Sequence, residues 1–549
     1  MSPLPQVGAL EVHRDLCEGR EIALIDLREE APHAEGHPLW AAQLAAGRLE
    51  LDAPWRLPRR AVPVVLFDSG GADSEGLVEA AGQRLQALGY SAVAALAGGL
   101  QGWREAGLEL FRDVNAPSKS FGELVAETLA TPMLEPEAVK ALIDSGAEPL
   151  VVDVRRPDEF EVMRIAGATN VPGGELGLRV PNLAPHPATP IVVHCAGRTR
   201  GILGTQGLIH LGLSNPIAAL RNGTIGWCLA GLALEQGPLP PLSPSPPARQ
   251  RQEIQRAAAE LAHRAGAQHL DDAGLAAWRA DGERTLYCWD VRSAAEYVAG
   301  HRLGFGHAPG GQLIQETDVY ASVRGARIVL AGGLRAAMAA HWLAQMGWEV
   351  AWMADGADPQ GEMGPWRPAA VPIPQGPALD PGELQRGLGD GSLLLLDLQP
   401  ASGFVQGHIA GAHWVLRSQI PLWWPPLAAR LGSAVRQLVF SCADGRLAAW
   451  AAADLRALSD RPVAVLTGGQ AAWMAAGLPL VAGEEQILSA RIDRYRRPYE
   501  GTAVPPQAMQ AYLDWEHGLV AQLQRDGSHR FAVLKLLASK APQSWPETS

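Results

Sequence analysis

Three signals recur four times, in the same order, along the 549 residues of this chain, and a fold for it has to be built from that repeat. The first is an apolar strand ending in aspartate or running through it: Ile25-Asp26-Leu27-Arg28, Val152-Asp153-Val154-Arg155, Trp289-Asp290-Val291-Arg292 and Leu396-Asp397-Leu398-Gln399. The second, about 42 to 45 residues on, is another apolar strand, ending at Phe67-Asp68, His194-Cys195, Ala331-Gly332 and Ser441-Cys442; the offset suits one βαβ crossover. The third is a glycine turn followed by tryptophan: Gly98-Gly99-Leu-Gln-Gly-Trp103, Asn222-Gly223-Thr-Ile-Gly-Trp227 and Gly468-Gly469-Gln-Ala-Ala-Trp473, with a degraded Asp355-Gly356-Ala-Asp358 in the third copy. Strands alternating with helical stretches, such as Gln83 to Leu88 and Arg335 to Met346, predict an α/β fold with a parallel sheet flanked by helices in every copy.

Punctuation marks the joins. Pro238-Leu-Pro-Pro-Leu-Ser-Pro-Ser-Pro-Pro247 holds six prolines and reads as a stiff polyproline spacer. Weaker joins lie near Asn115 to Pro132 and Arg367 to Pro377. The expected units are residues 1–114, 132–237, 248–366 and 378–482, followed by a helical extension over 483–549. In that extension Met509, Tyr512, Leu513, Leu519, Val520 and Leu523 form an apolar stripe at helical spacing, the mark of a core or docking helix.

A net charge of −12 argues against a nucleic-acid binder, because such affinity rests on neutralising phosphates. The basic cluster Arg491, Arg494, Arg496 and Arg497 reads as a solvated or salt-bridged face. Five cysteines, Cys17, Cys195, Cys228, Cys288 and Cys442, are too few and too scattered for a disulfide framework or a zinc site. No apolar run approaches a membrane span, and the first residues have neither a basic nor an apolar leader region. A reducing, cytoplasmic setting is expected, with no metal and no cofactor.

The second copy carries the chemistry. In Ile191-Val-Val-His-Cys-Ala-Gly-Arg-Thr-Arg-Gly201 a buried strand runs into Cys195, followed by Ala196, Gly197, Arg198, Thr199 and Arg200 and then by helix-forming sequence. Such a loop places the cysteine at a helix N-terminus beside two cations. The expected consequence is a thiol pKa below its free value of about 8.5. In the other copies Asp68 stands at the nucleophile position, Ala331-Gly332-Gly333 has no thiol, and Cys442-Ala-Asp-Gly-Arg446 keeps the thiol but inserts Asp444, whose charge opposes a thiolate. Cys442 and Arg446 are therefore a candidate second site, whereas Cys17, Cys228 and Cys288 read as packing residues.

With Asp153-Val-Arg155, Pro157-Asp-Glu-Phe160, the Cys195 to Arg200 loop and Asn222-Gly-Thr-Ile-Gly-Trp227, the chain resembles the rhodanese family of sulfurtransferases, in four tandem copies over about residues 5 to 482. Gly407-His408-Ile409-Ala-Gly411-Ala412 is similar to the family's glycine-histidine-isoleucine signature, where the second copy has Met163-Arg164-Ile165. The departure leaves Arg164 as a candidate contact for a substrate anion. Asp153, present in copies without a thiol, is expected to be structural, with Arg155 in a supporting role.

The resemblance implies covalent, two-step transfer, in which Cys195 takes the outer sulfur of thiosulfate or a related donor as a persulfide and a thiophilic acceptor removes it. Cyanide, small thiols and a thioredoxin-like or other thiol protein are the acceptors it suggests. The alternatives are a non-catalytic sulfur relay or regulatory binding protein, a 3-mercaptopyruvate sulfurtransferase, whose loops carry small uncharged residues, and a phosphatase. Phosphatases of related shape place five residues between cysteine and arginine, and here Arg200 follows Cys195 after four.

Overall fold

Every repeat folds as a five-stranded parallel sheet, and the four sheets share one strand order, with the short first strand at one edge beside the last. The computed structural model describes residues 3–71, 76–238, 248–354, 361–369, 371–501 and 504–535. Across the second sheet the order is Met133–Leu134, Ile217–Leu220, Ile191–His194, Leu150–Asp153 and Thr169–Asn170. Its central strand is buried at all four positions. β-Branched residues fill such strands because helices cover both faces of a parallel sheet. In register, Val152 lies opposite Val193 and Asp153 opposite His194. The chain leaves both strands at the same carboxyl edge, where open α/β sheets carry their sites.

The predicted helices near Gln83 and Arg335 are present as Leu77–Ala87 and Gly333–Gln345. The polyproline stretch beyond Pro238 and the degraded turn Asp355 to Asp358 lie outside the described residues, as does the chain after residue 535. The join near Asn115 to Pro132 is a helix, Ala116–Leu129, whose residues 116–123 are all buried. It packs against helices of the second and third repeats and of the C-terminal segment, so this connection is part of the core.

Buried ion pairs tie the repeats together. Arg417 of the fourth repeat clasps both oxygens of Glu50 in the first, at 2.6 and 2.8 Å. Arg335 of the third donates to Glu175 of the second at 2.7 Å. The C-terminal stripe forms two helices, Pro506–His517 and Leu519–Asp526, which bury Met509, Tyr512, Leu513, Leu519, Val520 and Leu523. The first of them docks on the Cys195 loop. Among the described residues no helix is long and apolar enough to cross a membrane, and no group of His, Cys, Asp and Glu side chains could hold a metal ion.

Candidate functional site

The strand Ile191–His194 ends where the helix Thr199–His210 has yet to begin, so residues 195–198 form a tight turn between them. The turn Asn222–Gly223 holds it from one side: the Thr224 amide donates to Cys195 O at 3.0 Å and the Ile225 amide to Ala196 O at 2.9 Å. Because the N–H of a trans peptide points opposite to its C=O, the Ala196 and Gly197 amides are directed away from that turn. Gly223 has φ of +56°, and a Cβ there would stand 2.3 Å from Cys195 O. Only glycine fits. Gly469 repeats this relation to Cys442 O in the fourth repeat.

Both loop arginines are forked onto glutamates. Arg200 donates to the two oxygens of Glu159 at 2.7 and 2.9 Å. Arg198 donates through Nε and Nη2 to Glu123, both at 2.7 Å, and through Nη1 to Asn222 Oδ1 at 3.0 Å. Residues 195–199 are buried, with Cys195 only 3% exposed. The thiol therefore departs from the acidity expected of it: burial pushes its pKa up, while Arg200 and the Gly201 amide pull down and Glu516 and Asp153 push up. Desolvation disfavours the charged form, and two arginines whose charge is balanced by carboxylates do not offset it.

Asp153 and Arg155 form a buried fork of their own, Arg155 Nη2 donating to Asp153 Oδ2 at 2.7 Å and to Met163 O at 2.5 Å. Arg28 spans from Asp26 to Gly36 O and Arg292 from Asp290 to Gly300 O in the same way. The recurrence in thiol-free repeats makes this fork a brace of the fold. His194 is fully buried between Cys195 O and Asp153, and burial lowers its pKa. Arg164 does not join the loop. Its guanidinium lies against the Phe160 ring and donates to Gly237 O at 2.8 Å.

Elsewhere the loops differ as their residues require. Asp68 accepts from the Gly70 amide at 2.8 Å, closing its own turn. Cys442 is buried, with Sγ 3.7 Å from Asp444 Oδ1; burial raises its pKa, amides of its loop oppose the rise, and Asp444 adds to it. Ala443 and Asp444 are exposed, and among the described residues no helix roofs this loop. The third repeat keeps the arginine–glutamate fork without the thiol: Arg335 holds Glu296 at 2.7 Å through each of two nitrogens. Cys17, Cys228 and Cys288 are free and half-buried, and Cys228 packs beside Met509 and Leu513 of the roof.

Four contributors escape sequence reasoning: Glu123, Tyr499, Tyr512 and Glu516. Ala196 and Ile225 share one apolar cluster with Tyr499, Met509, Tyr512 and Leu513. A Cβ on Gly197 would lie 3.3 Å from Tyr512 Cε1 and 3.3 Å from Glu516 Oε2. The apolar stripe signals a docking helix, and nothing local says where it docks. Beside the roof, Arg156, Glu159, Arg200, Arg494, Arg497 and Tyr499 help to line a polar cavity of about 390 Å³. The basic cluster thus contributes two side chains to this wall, and both are ion-paired to Glu500.

The rhodanese-like domain family matches residues 9–106, 135–230 and 380–476. The third repeat lies outside these matches and has the same strand order as the others. A solved structure of thiosulfate sulfurtransferase from Pseudomonas aeruginosa is 49% identical, covers 97% of this chain and 100% of its own, and superposes with a TM-score of 0.93. A rhodanese-related protein from Thermoplasma volcanium is 21% identical over 19% of this chain and 97% of its own, with a TM-score of 0.17. The Alr3790 protein from Anabaena is 26% identical over 19% of this chain and 82% of its own, also with a TM-score of 0.17. No curated protein matches the sequence.

Proposed function

The chain belongs to the rhodanese family, and we propose that it is a sulfurtransferase in which Cys195 of the second repeat carries sulfane sulfur from thiosulfate to a small thiophilic acceptor. The observation that carries this reading is the loop itself: among the four repeats, the second joins a thiol to two arginines in a six-residue turn. The Pseudomonas aeruginosa relative, 49% identical over its full length, is named a thiosulfate sulfurtransferase, which supports the choice of donor.

In the first half-reaction the Cys195 thiolate attacks the outer sulfur of thiosulfate. A new S–S bond forms, the bond to the sulfonate sulfur breaks, and its electron pair leaves with sulfite, giving the Cys195 persulfide. The Ala196 and Gly197 amides, directed away from the Asn222–Gly223 turn, offer donors to an anion at the loop, while Arg198 and Arg200, held by Glu123 and Glu159, fix the shape of that loop. In the second half-reaction a nucleophile such as cyanide attacks the outer sulfur and restores the thiolate, leaving as thiocyanate. The depth of Cys195, 3% exposed beneath the C-terminal helix, favours small acceptors over a thioredoxin-like protein. The free cysteines fit a reducing, cytoplasmic setting.

The first, third and fourth repeats serve as scaffold in this reading. Asp68 and Gly332 offer no sulfur nucleophile, and Asp444 disfavours the Cys442 thiolate. The test is thiocyanate formation from thiosulfate and cyanide under steady-state conditions. Turnover by the full chain and by Cys442→Ser, and its loss in Cys195→Ser, is the expected pattern. Turnover that survives in Cys195→Ser overturns the assignment.

A further inference from the structure

Glu516 stands at the Cys195 loop with a single hydrogen-bond donor and one unpartnered oxygen among the described residues. It is 1% exposed. Its Oε1 accepts a hydrogen bond from Tyr512 at 2.8 Å, whereas its Oε2 is buried without a hydrogen-bond partner among the described residues. That second oxygen is turned to Gly197, 3.3 Å from where a Cβ would stand. A carboxylate placed so has lost its water and gained one neutral donor, an arrangement that favours the acid form.

The groups packed around it leave it without a cation of its own. From the helix Ala116–Leu129 come Glu123, whose charge is committed to Arg198, and Lys119, which is bound to Asp113 at 2.7 Å. Lys119 also sits over the Tyr499, Tyr512 and Trp515 rings, with Nζ 5.8, 5.1 and 5.4 Å from their centroids. From the loop comes Arg198, forked onto Glu123 and Asn222. On its own helix stand Tyr512 and the neighbouring His517. Asp153 and Arg200 complete the charges around the thiol.

We propose that Glu516 is a positioning residue of this site: the C-terminal helix delivers its carboxyl to the outer face of the Cys195 loop, where its charge state sets the charge state of the thiol. The inference deepens the sulfurtransferase reading and rests on Cys195 being the sulfur carrier. Burial and the neighbouring Glu123 raise the Glu516 pKa to about 8, against the opposing pull of Lys119, Tyr512 and Arg198. Carboxyl and thiol are thus both shifted upward, in one buried pocket. Whichever ionises first holds the proton on the other. Near neutral pH Glu516 stays protonated and adds no charge against a thiolate or persulfide formed at the loop; above about pH 8 its own charge opposes them. Among the described residues no such roof covers the exposed Ala443 and Asp444 beside Cys442.

The test is the pH titration of the Cys195 thiolate by ultraviolet absorbance, taken as the difference between each full-length protein and the same protein carrying Cys195→Ser. Glu516→Gln keeps the size and hydrogen-bonding shape and removes the charge, with Glu516→Met as a second neutral replacement should the first fail to fold. The expected result is a thiolate midpoint about half a pH unit or more lower in the neutral variant, about a threefold higher thiolate-to-thiol ratio at a given pH in the titration range, with the two curves merging below pH 6. Tyr512→Phe keeps the carboxyl and removes only the hydrogen bond that favours its charge, so its midpoint is expected to move by clearly less than that of Glu516→Gln. A midpoint unchanged or higher in the neutral variant overturns the proposal, as does an equal downward shift in Tyr512→Phe, which would mark a disturbed helix. The titration needs no sulfur donor. A chain that takes no sulfur from thiosulfate refutes the sulfurtransferase reading while the titration still reports on Glu516.

Discussion

Glu123 grips Arg198 through both carboxylate oxygens, each 2.7 Å from a guanidinium nitrogen, although 75 residues separate the two in the chain. One partner lies on the helix that precedes the strands of the second sheet and the other in the Cys195 loop. With the roof supplied by Pro506–His517, the loop is an assembly of three distant segments. The additional repeats thus sit in a scaffold that positions helices at a site they do not furnish with a thiol.

Replacing Glu123 by Gln leaves a buried guanidinium without its counter-charge. Removing one partner of a buried pair costs about 3–5 kcal/mol. Urea unfolding of Glu123→Gln is expected to show a loss of that order in the transition that includes the second repeat. A loss below about 1 kcal/mol, the size seen for exposed pairs, would contradict the pairing.

The Arg200–Glu159 fork has a signature in acid. Burial opposes ionisation of Glu159, yet the charge of Arg200 and its hydrogen bonds outweigh burial and hold the carboxyl to about 2. A carboxyl depressed in the fold contributes stability that is present above its unfolded value of about 4.3 and is lost as pH falls towards 2. Urea midpoints measured from pH 6 to pH 3 are expected to fall less steeply in Glu159→Gln than in the wild type. Parallel curves would show that the fork contributes nothing.

The fourth repeat carries a natural experiment on the aspartate fork. Gln399 stands where Arg28, Arg155 and Arg292 stand, and it spans the same gap, donating to Asp397 at 3.2 Å and Gly407 O at 3.1 Å. Burial, only partly opposed by those amide hydrogen bonds and His408, raises the Asp397 carboxyl to about 6. A carboxyl raised in the fold favours folding below its unfolded value of about 3.9, and that contribution is lost as pH rises through about 6. Gln399→Arg is expected to reverse the sign, raising stability at pH 7 by about 2 kcal/mol as read by urea denaturation. A destabilised Gln399→Arg would show that the fourth repeat cannot seat the guanidinium.

The four sheets follow from the repeated strands, because apolar runs ending in Asp26, Asp153, Asp290 and Asp397 and the glycine turns at Gly99, Gly223 and Gly469 are local signals with local consequences. The cysteine loop is equally local, and its residues lie together as its spacing requires. What spacing does not carry is partnership across the chain. Glu123 sits in a stretch that reads as a join, Glu516 in a stripe whose apolar residues mask its role, and neither has periodicity to tie it to Arg198 or Gly197. The acidity expected for Cys195 fails for that reason: arginines counted from sequence are full charges, whereas arginines forked onto buried glutamates are balanced ones.

The most direct test of the whole account is the intact mass of the chain after exposure to thiosulfate and removal of excess reagent. One added sulfur atom, discharged by cyanide, retained in Cys442→Ser and absent in Cys195→Ser, is the expected result. An unchanged mass, or a sulfur that persists when residue 195 is serine, contradicts it.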